Sequence, residues 1–200
     1  QNPLNLHSAE IGNFYFQNPQ MSKHLWLYEG LTEYAAQHMQ LQGGLISLPQ
    51  FLERMTEKYR SSNFSYDKDI PFTKMSKGVL TKYKEEYGNV YQKGALIGLC
   101  LDLYLRSETH GRYGTQQLIR DLSARFGPDK SFADDELFQL IAETTQVKGI
   151  EQFFSHYVSG NKELPLASLL PKIGCELRSI DSKKDKVAFL EAMKQEIGRA

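Results

Sequence analysis

An acid stands inside an apolar run in Leu25-Trp26-Leu27-Tyr28-Glu29-Gly30-Leu31-Thr32-Glu33-Tyr34, and Glu29 is the side chain whose chemistry most needs an account. On a helix, positions three and four apart share a face, so Leu25, Trp26, Thr32 and Glu33 surround Glu29 and draw its carboxylate inward. A buried carboxylate is costly unless it is paired, hydrogen-bonded or bound to a metal. Two arrangements meet that requirement. Glu29 is a ligand or hydrogen-bond acceptor at a site, or the helix is amphipathic and turns it to water, the ordinary place for an acid. Gly30 removes a side chain where another group needs close approach to the backbone, and Trp26 is the only tryptophan of the chain.

The pattern Trp-x-x-Glu-Gly-x-Thr-x-Tyr, carried by Trp26, Glu29, Gly30, Thr32 and Tyr34, resembles the helix that supplies the third zinc ligand in gluzincin metallopeptidases, most closely the glycyl aminopeptidase family with a thermolysin-like catalytic domain. In that family two histidines of an H-E-x-x-H helix and a downstream Glu hold zinc and leave a position for water. The resemblance implies that Glu29 is the zinc ligand and that Glu33, one turn on, is an acid orienting a ligand from behind. A second element, Tyr91-Gln92-Lys93-Gly94-Ala95, resembles the Tyr-x-Lys-Gly-Ala of gluzincin aminopeptidases, which makes Tyr91 the candidate stabiliser of the tetrahedral intermediate. A neutral phenol suits that task, because it donates a hydrogen bond to an oxygen that becomes negative in the transition state. Taken without the first motif, Tyr91 reads as an interfacial tyrosine at the head of a core helix.

No H-E-x-x-H occurs in the 200 residues. The five histidines, His7, His24, His38, His110 and His156, are scattered, and none lies at the i, i+4 spacing from another that this zinc helix requires. Residues 2–11, Asn2-Pro3-Leu4-Asn5-Leu6-His7-Ser8-Ala9-Glu10-Ile11, resemble the stretch that follows the zinc helix in one branch of the family. The expectation is therefore the C-terminal part of a larger peptidase, beginning just after its histidines and completed by the remainder of its own catalytic domain upstream. Zinc and peptide hydrolysis are expected of the full-length enzyme and not of these residues alone, with His7 a candidate lining residue. The competing expectation is a noncatalytic helical interaction domain descended from such a peptidase.

Composition excludes several other classes. Lys plus Arg and Asp plus Glu number 24 each, so the chain lacks the electrostatic footprint of a nucleic-acid or anionic-membrane binder. The lysines Lys74, Lys77, Lys82 and Lys84 stand near Glu85 and Glu86 and read as a solvated face. The apolar stretch from Ala95 to Leu105 is interrupted by Gly98 and Asp102 and is too short to span a bilayer, so no transmembrane segment is expected. Cys100 and Cys175 lack metal spacing and read as separate buried thiols. The family suggests a periplasmic or secreted enzyme; the residues themselves do not indicate a compartment.

The elements that must position Glu29 and Tyr91 are helical. Ser22 is the expected cap of the Glu29 helix, which ends by Gly43-Gly44. Ser47 and Pro49 open a helix with Leu48, Phe51, Leu52, Met55 and Tyr59 on one stripe. Residues 61–88 are the least regular, and are the expected wall of a substrate cleft. Asn89 with Gln92 approximates a capping box that puts Tyr91 in the first turn of a buried helix, which stops at His110-Gly111. Further helices are predicted from Thr115, over 134–145 and through Ile150 to Val158. The segment Tyr157-Val158-Ser159-Gly160 to Glu163-Leu164-Pro165-Leu166 resembles the close of the family's catalytic domain, after which relatives often continue into a PDZ domain that is not visible here. The fold class expected is all-α, a multi-helix domain over 1–177 that resembles the C-terminal lobe of thermolysin-like peptidases. A tail over 178–200 follows, in which Ser182 or Asp185 caps a short helix containing Leu190, Met193 and Ile197. The expected partner is a peptide substrate.

Overall fold

Apolar stripes at helical spacing run along most of this chain, and the structure is assembled from them. A computed structural model describes residues 6–12, 21–127, 130–182 and 185–192; Phe14, Tyr15, Phe16, Met193 and Ile197 lie outside the described residues. The helices are α1 (Ala9–Gly12), α2 (Leu31–Gln42), α3 (Leu48–Phe64), α4 (Phe72–Gly78), α5 (Asn89–Glu108), α6 (Thr115–Arg125), α7 (Leu137–Thr145), α8 (Ile150–Tyr157) and α9 (Leu166–Leu169). The fold is all-α in its body, as the periodicity predicts. Helix α5 is central: Val90, Ala95, Ile97, Cys100, Leu101 and Leu105 are fully enclosed, and α2, α3, α4, α6 and α9 pack around it. Cys100 and Cys175 are free and buried. Among the described residues no helix is long and apolar enough to cross a membrane.

Helix α3 begins as its sequence dictates: the Ser47 side chain accepts from the Gln50 amide while the Gln50 side chain accepts from the Ser47 amide. Helix α2 ends at Gly43, followed by Gly44 at φ +68, a conformation that glycine adopts without strain. Several expectations are corrected. Asn89 is not a cap but the first residue of α5, entirely buried, with Gly88 as the capping position and no side-chain cap. Residues 61–88 are more regular than their composition suggests, because α3 continues to Phe64 and the apolar Phe72, Met75 and Val79 bury one face of α4. Among the described residues, 185–192 of the expected C-terminal helix are extended. Strands β1 (Cys175–Ser182) and β2 (Asp185–Ala192) pair antiparallel, with Cys175 opposite Ala192 and Ser182 opposite Asp185. Val187 and Phe189 are residue types that favour extended backbone, and a strand partner with Leu177 and Ile180 prevails over the weak helical spacing.

The helix bearing Glu29 also departs from expectation, in its winding. Residues Trp26–Gly30 form one π-helical turn, closed by the Leu31 amide donating to the Trp26 carbonyl, and it runs directly into α2. The wider turn accommodates three successive buried side chains, Leu25, Trp26 and Leu27, and leaves Glu29 half-buried. Trp26 is fully enclosed, its ring 5.3 Å from Phe154 of α8 and 6.4 Å from Phe138 of α7.

Ser22 does not cap this helix; it belongs to a buried network that fixes the approach to it. Its hydroxyl donates to Asp134 Oδ1 (2.7 Å) and accepts from the His24 amide (2.9 Å). The Lys23 amide donates to Asp134 Oδ2 (2.7 Å), and Ser76 Oγ bridges the Ser22 carbonyl and the Leu25 amide. Trp26 Nε1 can only donate, so His24 Nδ1 accepts from it (3.1 Å) and the imidazole hydrogen sits on Nε2, facing the Asp134 carbonyl at 2.7 Å. Burial pushes the His24 imidazole down to about 4.

Two glycines meet where the π turn crosses α5. A Cβ built on Gly30 would lie 2.5 Å from the Gly94 backbone, and one on Gly94 would lie 2.7 Å from Gly30 Cα, so the π turn and α5 cross backbone to backbone. One turn along α5, Gly98 receives Tyr34, whose Cβ would be 3.0 Å from an added methyl. Tyr34 is buried and its hydroxyl donates to Asp102 Oδ2 (3.0 Å). Asp102 also accepts from Arg106 Nε (2.8 Å) and from the Thr115 amide (2.6 Å) and hydroxyl (2.8 Å). Against the upward push of burial, the Arg106 charge and these hydrogen bonds hold the Asp102 carboxyl below its usual value.

Two outcomes are expected. Gly→Ala inside a helix ordinarily stabilises by about 0.5–1 kcal/mol, but Gly94→Ala is expected to cost about 2–3 kcal/mol in denaturant unfolding, since backbone must yield. A variant as stable as the parent would contradict the crossing. His24, neutral in the fold and ordinary when unfolded, gives stability that is intact above pH 6.5 and falls as pH drops from 6.5 to about 4, by about 3 kcal/mol in total. Imidazole NMR titration should show one ring unprotonated down to about pH 4; a midpoint near 6.5 for His24 would be inconsistent.

Candidate functional site

Residues of both sequence motifs divide into those the fold consumes and those it leaves over. In the first, Trp26 fills the aromatic cluster, Gly30 makes the crossing and Tyr34 anchors α2 to Asp102. In the second, Lys93 is buried with Nζ donating to the Lys68 and Ile70 carbonyls (3.3 and 3.4 Å), Gly94 faces Gly30, and Ala95 is enclosed. Thr32 lies exposed. Glu29 and Tyr91 are both half-buried and stand beside this crossing, one residue before Gly30 and three before Gly94.

The two side chains are neighbours, and Tyr87 stands beside them. The Tyr91 pKa is raised above the ordinary phenol value by the nearby Tyr87 hydroxyl first, then by burial and by the negative charge of Glu29. Tyr91 is thus a neutral hydrogen-bond donor across the physiological range. Tyr87 packs edge to face on it, with ring centroids 6.0 Å apart at 65°.

Glu33 takes a different direction. Its Oε1 accepts from Lys58 Nζ of α3 (2.8 Å) and lies 3.5 Å from Gln37 Nε2, so this carboxylate ties α2 to α3. His7 is half-buried, its carbonyl accepting from the Phe132 amide, and the next residue, Ser8, donates its amide to the Tyr28 hydroxyl (2.7 Å). The segment Leu6–Ala9 is thereby held alongside the π turn. The remaining histidines lie elsewhere: both ring nitrogens of His24 are engaged, His38 stacks on Tyr34 at 5.4 Å, His110 sits in the left-handed turn after α5, and His156 is on α8. Among the described residues no three His, Cys, Asp or Glu side chains converge to hold a metal ion. Glu29 presents a carboxylate partly open to solvent beside the Tyr91 phenol.

Two cavities lie apart from this pair. One of about 420 Å³ is bounded by Tyr59, Asn63, Phe64, Lys93, Glu163 and Leu177. The other, about 490 Å³, lies among Lys23, Lys74, Lys77 and Lys82, so three lysines of the Lys-rich run share a concave face while Lys84 stands outside it.

Tyr87 is the site residue that sequence reasoning missed. Its signal was the four-residue spacing to Tyr91, the spacing at which side chains on helical backbone overlie one another. The glycine pair Gly94 and Gly98, likewise four apart on an apolar helix, pointed to the face that receives the π turn and α2.

Comparison with known proteins agrees with this architecture. Residues 2–97 match the family model of the M61 glycyl aminopeptidase, a span that contains Glu29, Glu33, Tyr87 and Tyr91. The crystal structure of an aminopeptidase N family protein from Idiomarina loihiensis superposes with a TM-score of 0.77 at 23% identity, over 88% of this chain and 31% of that one. At that identity the likeness is one of fold, and this chain spans about a third of the other's length. No curated protein matches. The segment from Tyr157 to Leu166 falls beyond the family match. Residues 2–97, and with them both motifs of the site, are similar to the M61 glycyl aminopeptidase family.

Proposed function

We propose that these residues form the part of a zinc aminopeptidase catalytic domain that contributes Glu29 as a metal ligand and Tyr91 as the donor to the substrate's oxyanion. The observation that carries this reading is the backbone-to-backbone crossing of Gly30 and Gly94, which brings half-buried Glu29 and Tyr91 to the same place while the other buried motif residues serve the fold. Glu29 offers oxygen donors of the kind zinc accepts alongside two imidazoles, and bound zinc supplies Lewis-acid activation of water and of the scissile carbonyl. Glu33, steadied by Lys58, is proposed as the acid that orients the ligand set from behind. The imidazoles and the general base belong to an H-E-x-x-H helix outside these 200 residues, so this chain alone is proposed to be inactive.

Tyr91 acts as a neutral donor. As the carbonyl carbon becomes tetrahedral its oxygen gains charge, and a preoriented phenol hydrogen stabilises that charge more than it stabilises the planar substrate. Its raised pKa keeps the hydrogen in place, and the half-buried setting limits competition from water. Residues 61–88, which end at Tyr87 beside the pair, are proposed as one wall of the cleft. The proposed substrate is a peptide whose N-terminal residue is glycine, as the family description implies, or the similarly small alanine.

The test uses the longer protein in which this chain is joined to its H-E-x-x-H helix. Glu29→Gln should sharply lower zinc content measured by elemental analysis. Tyr91→Phe should retain zinc and reduce kcat by about a hundredfold, the effect of losing one well-aimed oxyanion donor. Normal zinc in Glu29→Gln would overturn the ligand assignment and favour the noncatalytic interaction domain.

A further inference from the structure

Lys93 is a buried cation that the Glu29 and Tyr91 pair leaves unused. It is only 8% exposed, and a step of two residues along a helix turns it about 200° from Tyr91, to the far side of α5. There Nζ donates to the Lys68 carbonyl (3.3 Å) and the Ile70 carbonyl (3.4 Å), both at the long end of the hydrogen-bond range. An ammonium carries three hydrogens, so one remains uncommitted.

Nor is its charge paired. Among the described residues no carboxylate lies within ion-pair distance of Nζ. Burial lowers the Lys93 pKa, and the charges of Asp67, Asp69 and Glu86 oppose that from further off. Two of those acids are engaged by backbone instead: Asp67 accepts from the Asp69 amide (2.9 Å) and Glu86 from the Asp67 amide (3.2 Å). One turn before Lys93 on the same face, Asn89 is fully buried with neither its side-chain nitrogen nor its oxygen hydrogen-bonded. Polar demand on this side of α5 is therefore unmet at two successive turns.

Lys93 lines the cavity of about 420 Å³ bounded by α3, α5, residues 161–164 and β1. Its wall is of two kinds. Leu96, Leu164 and Leu177 are apolar, and Phe64, 63% exposed, forms an apolar edge open to solvent. Lys68 and Lys162 add further cations, while Glu163, the acid among the described lining residues, accepts from the Tyr59 hydroxyl (3.2 Å).

We propose that this cavity binds a small carboxylic acid with an apolar chain, its carboxylate on Lys93 and its chain among Leu96, Leu164 and Leu177. The buried ammonium gains a counter-charge and its third hydrogen an acceptor, in a charge-assisted bond strengthened by the scarcity of water. The volume has room for a molecule the size of leucine. Two sources share this chemistry: a plain aliphatic acid, and an α-amino acid whose ammonium group meets Glu163. The site is separate from Glu29 and Tyr91 and independent of the roles proposed for them.

Calorimetric titration of the longer protein with isocaproate, its uncharged amide isocaproamide, and L-leucine tests this. Isocaproate should bind saturably and the amide about tenfold more weakly, the effect of losing a charge-assisted hydrogen bond. Lys93→Met should weaken isocaproate by a similar factor, and Phe64→Asp, an exposed change that sets a like charge at the cavity edge, by about threefold. Glu29→Gln should leave binding intact, which separates this cavity from the proposed metal site. Tighter binding of L-leucine than of isocaproate would identify an amino acid as the ligand, and equal or weaker binding an aliphatic acid. Absence of saturable binding, equal binding of acid and amide, or loss of binding in Glu29→Gln would overturn the proposal. So would binding untouched by Lys93→Met, or by Phe64→Asp where Lys93→Met does not fold.

Discussion

The contact between Gly30 and Gly94 sets the rest of the arrangement. Helices with side chains at their crossing hold their axes about 8–10 Å apart. Here neither crossing residue has a side chain, and a Cβ on either would stand inside 3 Å of the other's backbone. Residues adjacent to the crossing are therefore drawn together, and those residues are Glu29 and Tyr91. Any larger residue at either glycine would separate the carboxylate from the phenol before it touched their chemistry.

So close an approach needs support at each end, and two buried polar networks supply it. Upstream, Asp134 gathers Ser22, Lys23 and His24, and His24 passes the constraint to Trp26 through the indole hydrogen. Downstream, Asp102 of α5 gathers Tyr34, Arg106 and Thr115, locking α2 against Gly98. A carboxylate is buried at the centre of each, and each has several donors, which is the condition for such a group to hold structure and not weaken it. The π turn between the two networks is the one place where the helix departs from regular winding, and Glu29 is the polar side chain that it leaves half open.

Much of this was legible in the residues. Stripe spacing gave the helical body, Ser47 and Gln50 their capping box, and Gly43 the end of α2, because each depends on local chemistry that one segment contains. Gly30 was readable as a point of close approach, although its partner was not, since a crossing is a relation between segments about sixty residues apart. The errors have the same origin. Ser22 and Asn89 have the types of helix caps, yet Ser22 is claimed by Asp134 and Asn89 is turned into the interior. Residues 185–192 have weak helical spacing, and a neighbouring strand decides their form. Glu29 and Tyr91 were singled out by their motifs; the ring contact of Tyr87 on Tyr91 belongs to neither motif and emerges only when the turn before α5 is built.

The central claim is that the crossing delivers Glu29 to a metal and Tyr91 to the space in front of it. Anomalous scattering at the zinc edge from crystals of the longer, zinc-loaded protein tests it most directly. The account predicts a zinc peak roughly 2.0–2.2 Å from a Glu29 carboxylate oxygen, with the Tyr91 hydroxyl turned to the same open side. Zinc held by other residues, with Glu29 still closed on Tyr91, would contradict it.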